Sequence, residues 1–466
     1  TVTADLDLSG EGLVFDTEGR ALQGITNASI WDSNFARTRV HIIKSCIGKE
    51  EIELWVEGVA NSLFGVFTDP DPKNESPKRH GWFDAKVETL RFGIFDEAMW
   101  HLYLDVRILR GLVKRLDESS VRRARVIRAL NNCINVFGDD KKRASEAREC
   151  LKAELEKKAT SSDLTVSAVG HAHIDTGWLW PVRETIRKCA RTFATQLNII
   201  EDYPDYIFGA SQPQHYQFMK DHYPEIYERI KKAVASGNWE VQGGMWVEAD
   251  CNLISGESMV RQLLHGKNFF KDEFNIEVDN LWLPDVFGYS AALPQILKRS
   301  GIDYFLTQKL SWSQFNEFPH QTFNWRGIDG AEVLTHFPPE NTYNSELDTE
   351  FLVPARDSFK EKDRLDEFIS LFGVGDGGGG PKPENIELGR RMADLESSPR
   401  VSFDTANNFF DRLNDKKEDV ETWVGELYLE LHRGTLTTHG LVKKQNRKLE
   451  NKLRIVELLW SCLPMD

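Results

Sequence analysis

The sequence predicts a multidomain α/β protein. The expected order is a β-rich N-terminal domain, a helical segment, a (β/α) domain of seven or eight mostly parallel strands, and the start of a helical bundle. Three observations carry this. The chain has 466 residues, too many for one hydrophobic core. Its pattern changes near residue 94 from short alternating runs to helical periodicity, and near residue 164 to alternating strand-like and helical runs. Several apolar runs in the later part end in His or Asp, at the edge where α/β sheets and barrels build their sites.

Residues 1–65 hold the bursts VTADLDL, GLVFDT, TRVHIIKSC and EIELWVEG, punctuated by Gly, Asp and Asn. These read as short strands of a sandwich or part of one. Residues 66–160 are read as a linker followed by helices. The stretch 66–80 is polar and carries Pro70, Pro72 and Pro77. AMWHLYLDVRILRGLVKRL and SSVRRARVIRALNNCINVF then place apolar residues every three or four positions, with Ser119 or Ser120 as an N-cap.

Residues 161–420 are read as the α/β domain. Its strands are LTVSAVG, YIFGAS, WEVQGG, NLWLPD, DYFLTQ, EVLTHF, FISLFG and VSFDT. Helices are expected near 184, at 215–235, at 256–273, through ALPQILKRSG and at 384–394. A parallel sheet or barrel of about 250 residues follows from this alternation. Residues 421–466 supply a strand in GELYLELHRGTLTT and one amphipathic helix, LVKKQNRKLENKLRIVELLWSC. That helix exposes an apolar stripe, so the chain is expected to run on into a helical bundle.

Composition narrows the functional classes. Forty per cent apolar and 28% charged residues is an ordinary globular balance. A net charge of −15 argues against nucleic acid as a partner and is compatible with a neutral substrate. No apolar run is long enough to span a bilayer, so no membrane partner is expected. No signal peptide is visible after Thr1. Cys46, Cys133, Cys150, Cys189, Cys251 and Cys462 form no Cys-x-x-Cys pair and read as reduced thiols. The triplets Asn27-Ala-Ser and Asn74-Glu-Ser resemble glycosylation sites but are common by chance.

The chemistry concentrates at strand ends. LTVSAVG runs into His171, His173 and Asp175. In extended backbone, residues two apart face the same way, so His173 and Asp175 can share one cation. The alternative is a set of ordinary hydrogen-bonded histidines, but three such groups in five residues are costly to bury without a ligand. Asp285 ends NLWLP and reads as a metal ligand, a nucleophile or a helix N-cap. Asp376 ends FGVG and precedes Gly377–Gly380, where a bare backbone can approach a ligand; the alternative is a surface turn. The run lacks the lysine of a phosphate loop, so nucleotide binding is rejected.

Two carboxylates flanking a bond are what glycoside hydrolysis needs. Trp178, Trp180, Trp246, Trp282 and Phe287 are aromatic faces for sugar rings, or plain packing. His432 and Arg433 form either a site wall or a salt-bridged surface.

HAHIDTGWLWP, WLPDVFGYS, FGVGDGGGGP and GELYLELHRGT, in this order, resemble glycoside hydrolase family 38, the class II α-mannosidases, and most of all the cytosolic and vacuolar branch. The resemblance implies a retaining exo-α-mannosidase acting on mannose-containing oligosaccharides, in the cytoplasm or vacuole. It implies one divalent metal, zinc or cobalt, in the −1 sugar site. Carried over by motif, His173 and Asp175 are metal ligands, Asp285 is both ligand and nucleophile, and Asp376 is the acid/base. Trp178 becomes a wall of the −1 site, and His432 is expected to bind substrate. A fourth ligand, a histidine in a His-Asp motif, is expected after the 441–462 segment. His171 is expected to support the ligands, and a homo-oligomer is expected.

Two rivals remain at this stage. His171-Ala-His173 also suits a metal-dependent amidohydrolase or deacetylase, but the later strand ends Asp285, His336 and Asp376 offer too few histidines. A non-catalytic carbohydrate-binding protein has no need of two strand-end acids.

Overall fold

Alternating burial along the first strands makes the N-terminal stretch a pair of small antiparallel sheets. The computed structural model describes residues 1–26, 36–59 and 86–463. The proline-containing stretch at 66–80 and both Asn-x-Ser triplets lie outside the described residues. By contacts the chain divides into two compact units. The first is Thr1–Ala210, His215–Glu240 and Thr342–Phe409; the second is Ser211–Gln214, Val241–Asn341 and Phe410–Asp466.

In the first unit, Val2–Asp7 lies between Arg39–Ile43 and Thr89–Ile94, and Glu11–Phe15 lies between Ala21–Thr26 and Trp55–Val59. All four pairings are antiparallel. Ala4, Leu6, Val14, Ile25 and Val40 turn inward to one apolar cluster, which makes the two sheets a sandwich. Thr89–Ile94 lies where sequence analysis gave only a linker and helices. It pairs along its whole length with Val2–Asp7. Its alternating Leu90, Phe92 and Ile94 are a strand signal that sequence analysis missed, and in the fold their side chains are exposed.

Three helices follow: Glu97–Arg115, Val121–Phe137 and Ala144–Leu155. Asp96 and Ser120 cap the first two by accepting from the amides of Met99 and Arg123. Leu102, Leu109, Val126, Cys133, Ala147 and Leu151 form their shared core.

The parallel sheet of this unit centres on Thr165–His171. One edge pairs with Glu367–Phe372. The other takes Arg400–Phe403 along residues 165–168 and Phe208–Ala210 at residues 170–171. The strand is buried on both faces, as a central parallel strand must be. The helix expected at 215–235 is two, Pro213–His222 and Pro224–Ala235. Pro224 lacks the amide a continuous helix needs and opens the second helix instead.

The second unit has its own five-stranded sheet, in the order Asn280–Trp282, Tyr304–Leu306, Glu332–His336, Thr322–Arg326, Thr422–Val424. Only the pairing of Thr322–Arg326 with Glu332–His336 is antiparallel. Its core includes Leu263, Leu281, Phe305, Phe323 and Trp325. The helix Gly440–Ser461 is anchored through Glu450, which accepts from the Ser255 amide and the Ser258 hydroxyl. Its Leu449, Leu453, Val456 and Trp460 are exposed.

The fold is therefore multidomain α/β, with a β-rich N-terminal domain and parallel strands after the helices. The eight strands expected in 161–420 are present, but the one expected in GELYLELHRGTLTT is not. The strand there is Thr422–Val424, just before it, and the stretch itself makes only a bridge from Leu427 to Tyr289 and a 3-10 turn at Arg433–Leu436. The eight belong to two sheets, a division that alternating strand and helix patterns do not reveal. Among the described residues, no helix is long and apolar enough to cross a membrane, and all six cysteines are free.

Candidate active site

Adjacent parallel strands in the first unit bring three of the predicted residues together. Phe372 lies opposite Gly170 in the pairing of Glu367–Phe372 with Thr165–His171. The chain leaving one strand therefore carries His173 and Asp175 beside the loop leaving the other, which carries Asp376. His173 Nε2 is 3.5 Å from Asp175 Oδ2 and 4.0 Å from Asp376 Oδ1. One ligand atom of each residue lies within 4.8 Å of the others. His173 is buried, while both carboxylates keep partial access.

The donor set is one imidazole and two carboxylates. The imidazole of His173 and the carboxylate of Asp175, the two ligands that the resemblance assigns here, are nitrogen and oxygen donors that suit a divalent ion such as zinc or cobalt, and so fit the metal it implies. Asp376, given by the resemblance as acid/base, stands in this cluster.

The surroundings hold these groups in place. Tyr343 donates its hydroxyl to Asp376 Oδ1 at 3.1 Å, and its ring lies 5.1 Å from that of His173. Asn344 Oδ1 accepts from the Gly375 amide at 2.7 Å. His215 Nε2 is 2.9 Å from the Thr176 hydroxyl. Burial, helped by the charge of His173, lowers the His171 pKa to about 3. Burial lowers His215 to about 3 as well, with His173 adding and Asp175 opposing. Both rings are thus neutral at ordinary pH, the form that supports ligands without repelling a cation. Trp178 is 45% exposed and stands edge-on to buried Trp180 at 5.4 Å.

The second unit holds Asp285, in the turn that follows Asn280–Trp282. Lys309 Nζ lies 2.5 Å from Asp285 Oδ1 and is itself buried. The ammonium sits 3.7 Å from the centre of the Trp312 ring and 5.0 Å from that of Phe287, a cation–π arrangement. His432 belongs to the same group: its ring is 4.7 Å from Phe287 and 6.1 Å from Trp312. Burial lowers the His432 pKa, Lys309 adds to this and Asp285 opposes it. Buried Tyr289 donates toward the Leu283 and Val286 carbonyls and fixes the turn that presents Asp285. Arg433 lies 6.0 Å from the Phe315 ring. Trp282 is core, and Trp246 donates to Gln214 Oε1 at 3.1 Å.

Tyr343, His215 and Lys309 escaped sequence analysis. Lys309 directly follows the strand DYFLTQ and could have been found as a strand-end charge, whereas Tyr343 and His215 lie in loop or helix and are brought to their partners by tertiary packing.

Comparison with known proteins extends this. Residues 163–426 match the glycosyl hydrolases family 38 N-terminal domain. Residues 1–86 match the alpha-mannosidase, jelly roll domain. The chain is 41% identical over 455 residues to Alpha-mannosidase G of Dictyostelium discoideum, covering 97% of this chain and 41% of that protein. It is 38% identical over 461 residues to Alpha-mannosidase 2C1 of Homo sapiens, covering 97% and 43%. Against Alpha-mannosidase of Saccharomyces cerevisiae the identity is 34% over 473 residues, covering 97% and 43%. The chain thus spans about two fifths of the length of the curated relatives it matches. By the match over 163–426, more than half of its residues, the chain belongs to glycosyl hydrolase family 38.

Proposed function

We propose that this chain carries catalytic residues of a retaining exo-α-mannosidase that removes terminal α-linked mannose from oligosaccharides. The observation that carries the reading is the convergence of His173, Asp175 and Asp376 at neighbouring strand ends. Family membership and relatives that are alpha-mannosidases support it.

In this reading His173 and Asp175 hold a divalent ion, zinc or cobalt, with Asp285 as a further ligand. The bound ion supplies Lewis-acid charge at sugar hydroxyls. Asp285 attacks the anomeric carbon, and the bond to the leaving oxygen breaks as Asp376 donates its proton to that oxygen. A mannosyl ester forms on Asp285. Asp376, now a carboxylate, takes a proton from water as the water attacks the same carbon and releases Asp285.

The surrounding residues suit these parts. Lys309 pairs with Asp285 and holds its carboxylate in place in the turn. The Tyr343 hydroxyl donates to Asp376 Oδ1 and orients the carboxyl group. Trp178 and His432 are assigned to the sugar. The same reading assigns the protein to the cytoplasm or vacuole, as a homo-oligomer.

The test is hydrolysis of an aryl α-D-mannoside by the full-length protein as isolated, after chelation, and after zinc or cobalt is restored. Nuclear magnetic resonance reads the first-formed anomer. Activity that vanishes and returns, with α-mannose appearing first, is the expected result. β-Mannose appearing first would remove the ester on Asp285. Hydrolysis by a metal-free protein would remove His173 and Asp175 from the metal role, and no hydrolysis in any state would overturn the reading.

A further inference from the structure

We propose that the N-terminal β domain helps to set the catalytic geometry: Arg37, together with Glu11 acting through Lys188, fixes the loop that carries Asp376. The inference rests on the assignment of Asp376 above.

The loop needs outside support. Val374 and Gly380 bond to each other through both amides, at 3.0 and 2.8 Å, and close the segment between them into a tight turn. Asp376 sits near its tip in the left-handed region, with φ of 53°. Four consecutive glycines follow it, and a glycine run loses more backbone freedom on ordering than any other sequence. Left to itself such a segment samples many conformations, and Asp376 moves with it.

Two groups from the β domain grip the two halves of the loop. Arg37 Nη2 donates to the carbonyls of Gly379, Gly380 and Pro381 at 3.3, 2.8 and 3.1 Å. Burial lowers the Arg37 pKa to about 10, with Glu384 opposing, so the guanidinium remains charged at neutral pH. Gln196, on the helix Val182–Asp202, donates to the Gly379 and Pro381 carbonyls at 2.6 and 3.0 Å and completes this half.

Under the other half lies Lys188, whose ammonium is 2.9 and 2.8 Å from the two Glu11 oxygens. Its alkyl chain occupies the space a side chain at Gly377 would need: a Cβ there would come within 2.4 Å of Lys188 Cδ. The Gly377 amide donates to the His173 carbonyl at 3.2 Å and ties the loop to the strand end that bears His173.

Neither Arg37 nor Glu11 is a catalytic residue. They act by position. A proton donor works only within hydrogen-bond reach of the leaving oxygen, and small displacements are expensive in rate. A loosened loop therefore lowers kcat/KM, which reports mannosyl transfer to Asp285, most for substrates whose leaving group needs the proton, while the later step, in which Asp376 takes a proton from water, slows for all substrates. A purely stabilising contact would affect both kinds of substrate alike.

The test uses Arg37→Lys, which keeps the charge but loses the planar fork, and Arg37→Ala, in the full-length protein. Asp376→Ala is run alongside. Rates are measured on methyl α-mannoside, a poor leaving group, and on a dinitrophenyl α-mannoside, a good one. Amide hydrogen exchange is followed across 374–381. For Arg37→Lys the expected kcat/KM on the methyl mannoside falls about tenfold or more, while kcat/KM on the dinitrophenyl mannoside, which reports only the first step, changes by less than about threefold. Exchange in the loop rises about tenfold while the rest of the first unit keeps its protection. Equal losses on both substrates, or unchanged exchange, would overturn the proposal. If Arg37→Ala does not fold, Arg37→Lys decides alone. A wild-type protein without mannosidase activity, or an Asp376→Ala variant that ignores the leaving group, would instead sink the assignment of Asp376, and the inference with it.

Discussion

The two strand-end carboxylates keep different company. Asp376, in the first unit, stands on a glycine loop among His173, Asp175 and a tyrosine hydroxyl. Asp285, in the second, stands on a turn pinned by Tyr289 and faces the ammonium of Lys309 between two aromatic rings. The first setting combines donors for a cation with a hydroxyl that orients the acid. The second supplies one fixed positive charge to one carboxylate. Two acids of the same residue type thus meet different partners within their own units.

The sharpest way to break this contrast is to remove each acid. Asp285→Asn is expected to lower kcat by about 10⁴-fold or more, since it deletes the attacking group. A steady-state rate near wild type would take the nucleophile's part from Asp285. Asp376→Ala should cost about 10²-fold in kcat/KM on a methyl mannoside and far less in kcat/KM on a dinitrophenyl mannoside, because in the first step only the poor leaving group needs the proton. Equal losses would leave Asp376 as a ligand and not the acid.

Two smaller effects sharpen the comparison. Lys309→Met removes the charge facing Asp285 and is expected to cost about 10- to 100-fold in kcat, read against a change of metal content near zero. His173→Ala should do the reverse to metal content, lowering it in an elemental analysis. A Lys309→Met protein that loses its metal would merge the two roles.

The smallest effect is on stability. His336 is fully buried, bonded to Thr322 through Nδ1, and burial alone lowers its pKa to about 3. The unfolded chain takes up the proton near pH 6.5 and the folded chain does not. Stability is therefore intact above that pH and falls as the pH drops toward 3, by about 1.4 kcal/mol per pH unit from this residue. Urea unfolding of His336→Gln between pH 7 and 5 should show a shallower decline than wild type, and parallel curves would contradict the assignment.

Much of this arrangement was legible in the sequence because its signals are local. An apolar run that ends in His-x-His-x-Asp, or in an aspartate before glycines, announces a strand end and its chemistry within a dozen residues. The helix capped by Ser120 and the amphipathic Gly440–Ser461 were legible for the same reason. What was hidden depends on tertiary pairing. Thr89–Ile94 carries a short alternating pattern at Leu90, Phe92 and Ile94, but what holds it is its ladder with Val2–Asp7, since those side chains stay exposed. Tyr343 and Arg37 matter through partners on other elements, and no spacing marks them. The division of the parallel strands between two sheets is likewise a matter of which strand finds which neighbour.

The most direct measurement is to trap the glycosylated protein with 5-fluoro-α-mannosyl fluoride, whose fluorine slows both steps while fluoride leaves readily, and to locate the label by peptide mass spectrometry. The account predicts one mannosyl ester, on Asp285. A label on Asp376, or steady turnover of the reagent by a protein that never carries a label, would contradict it.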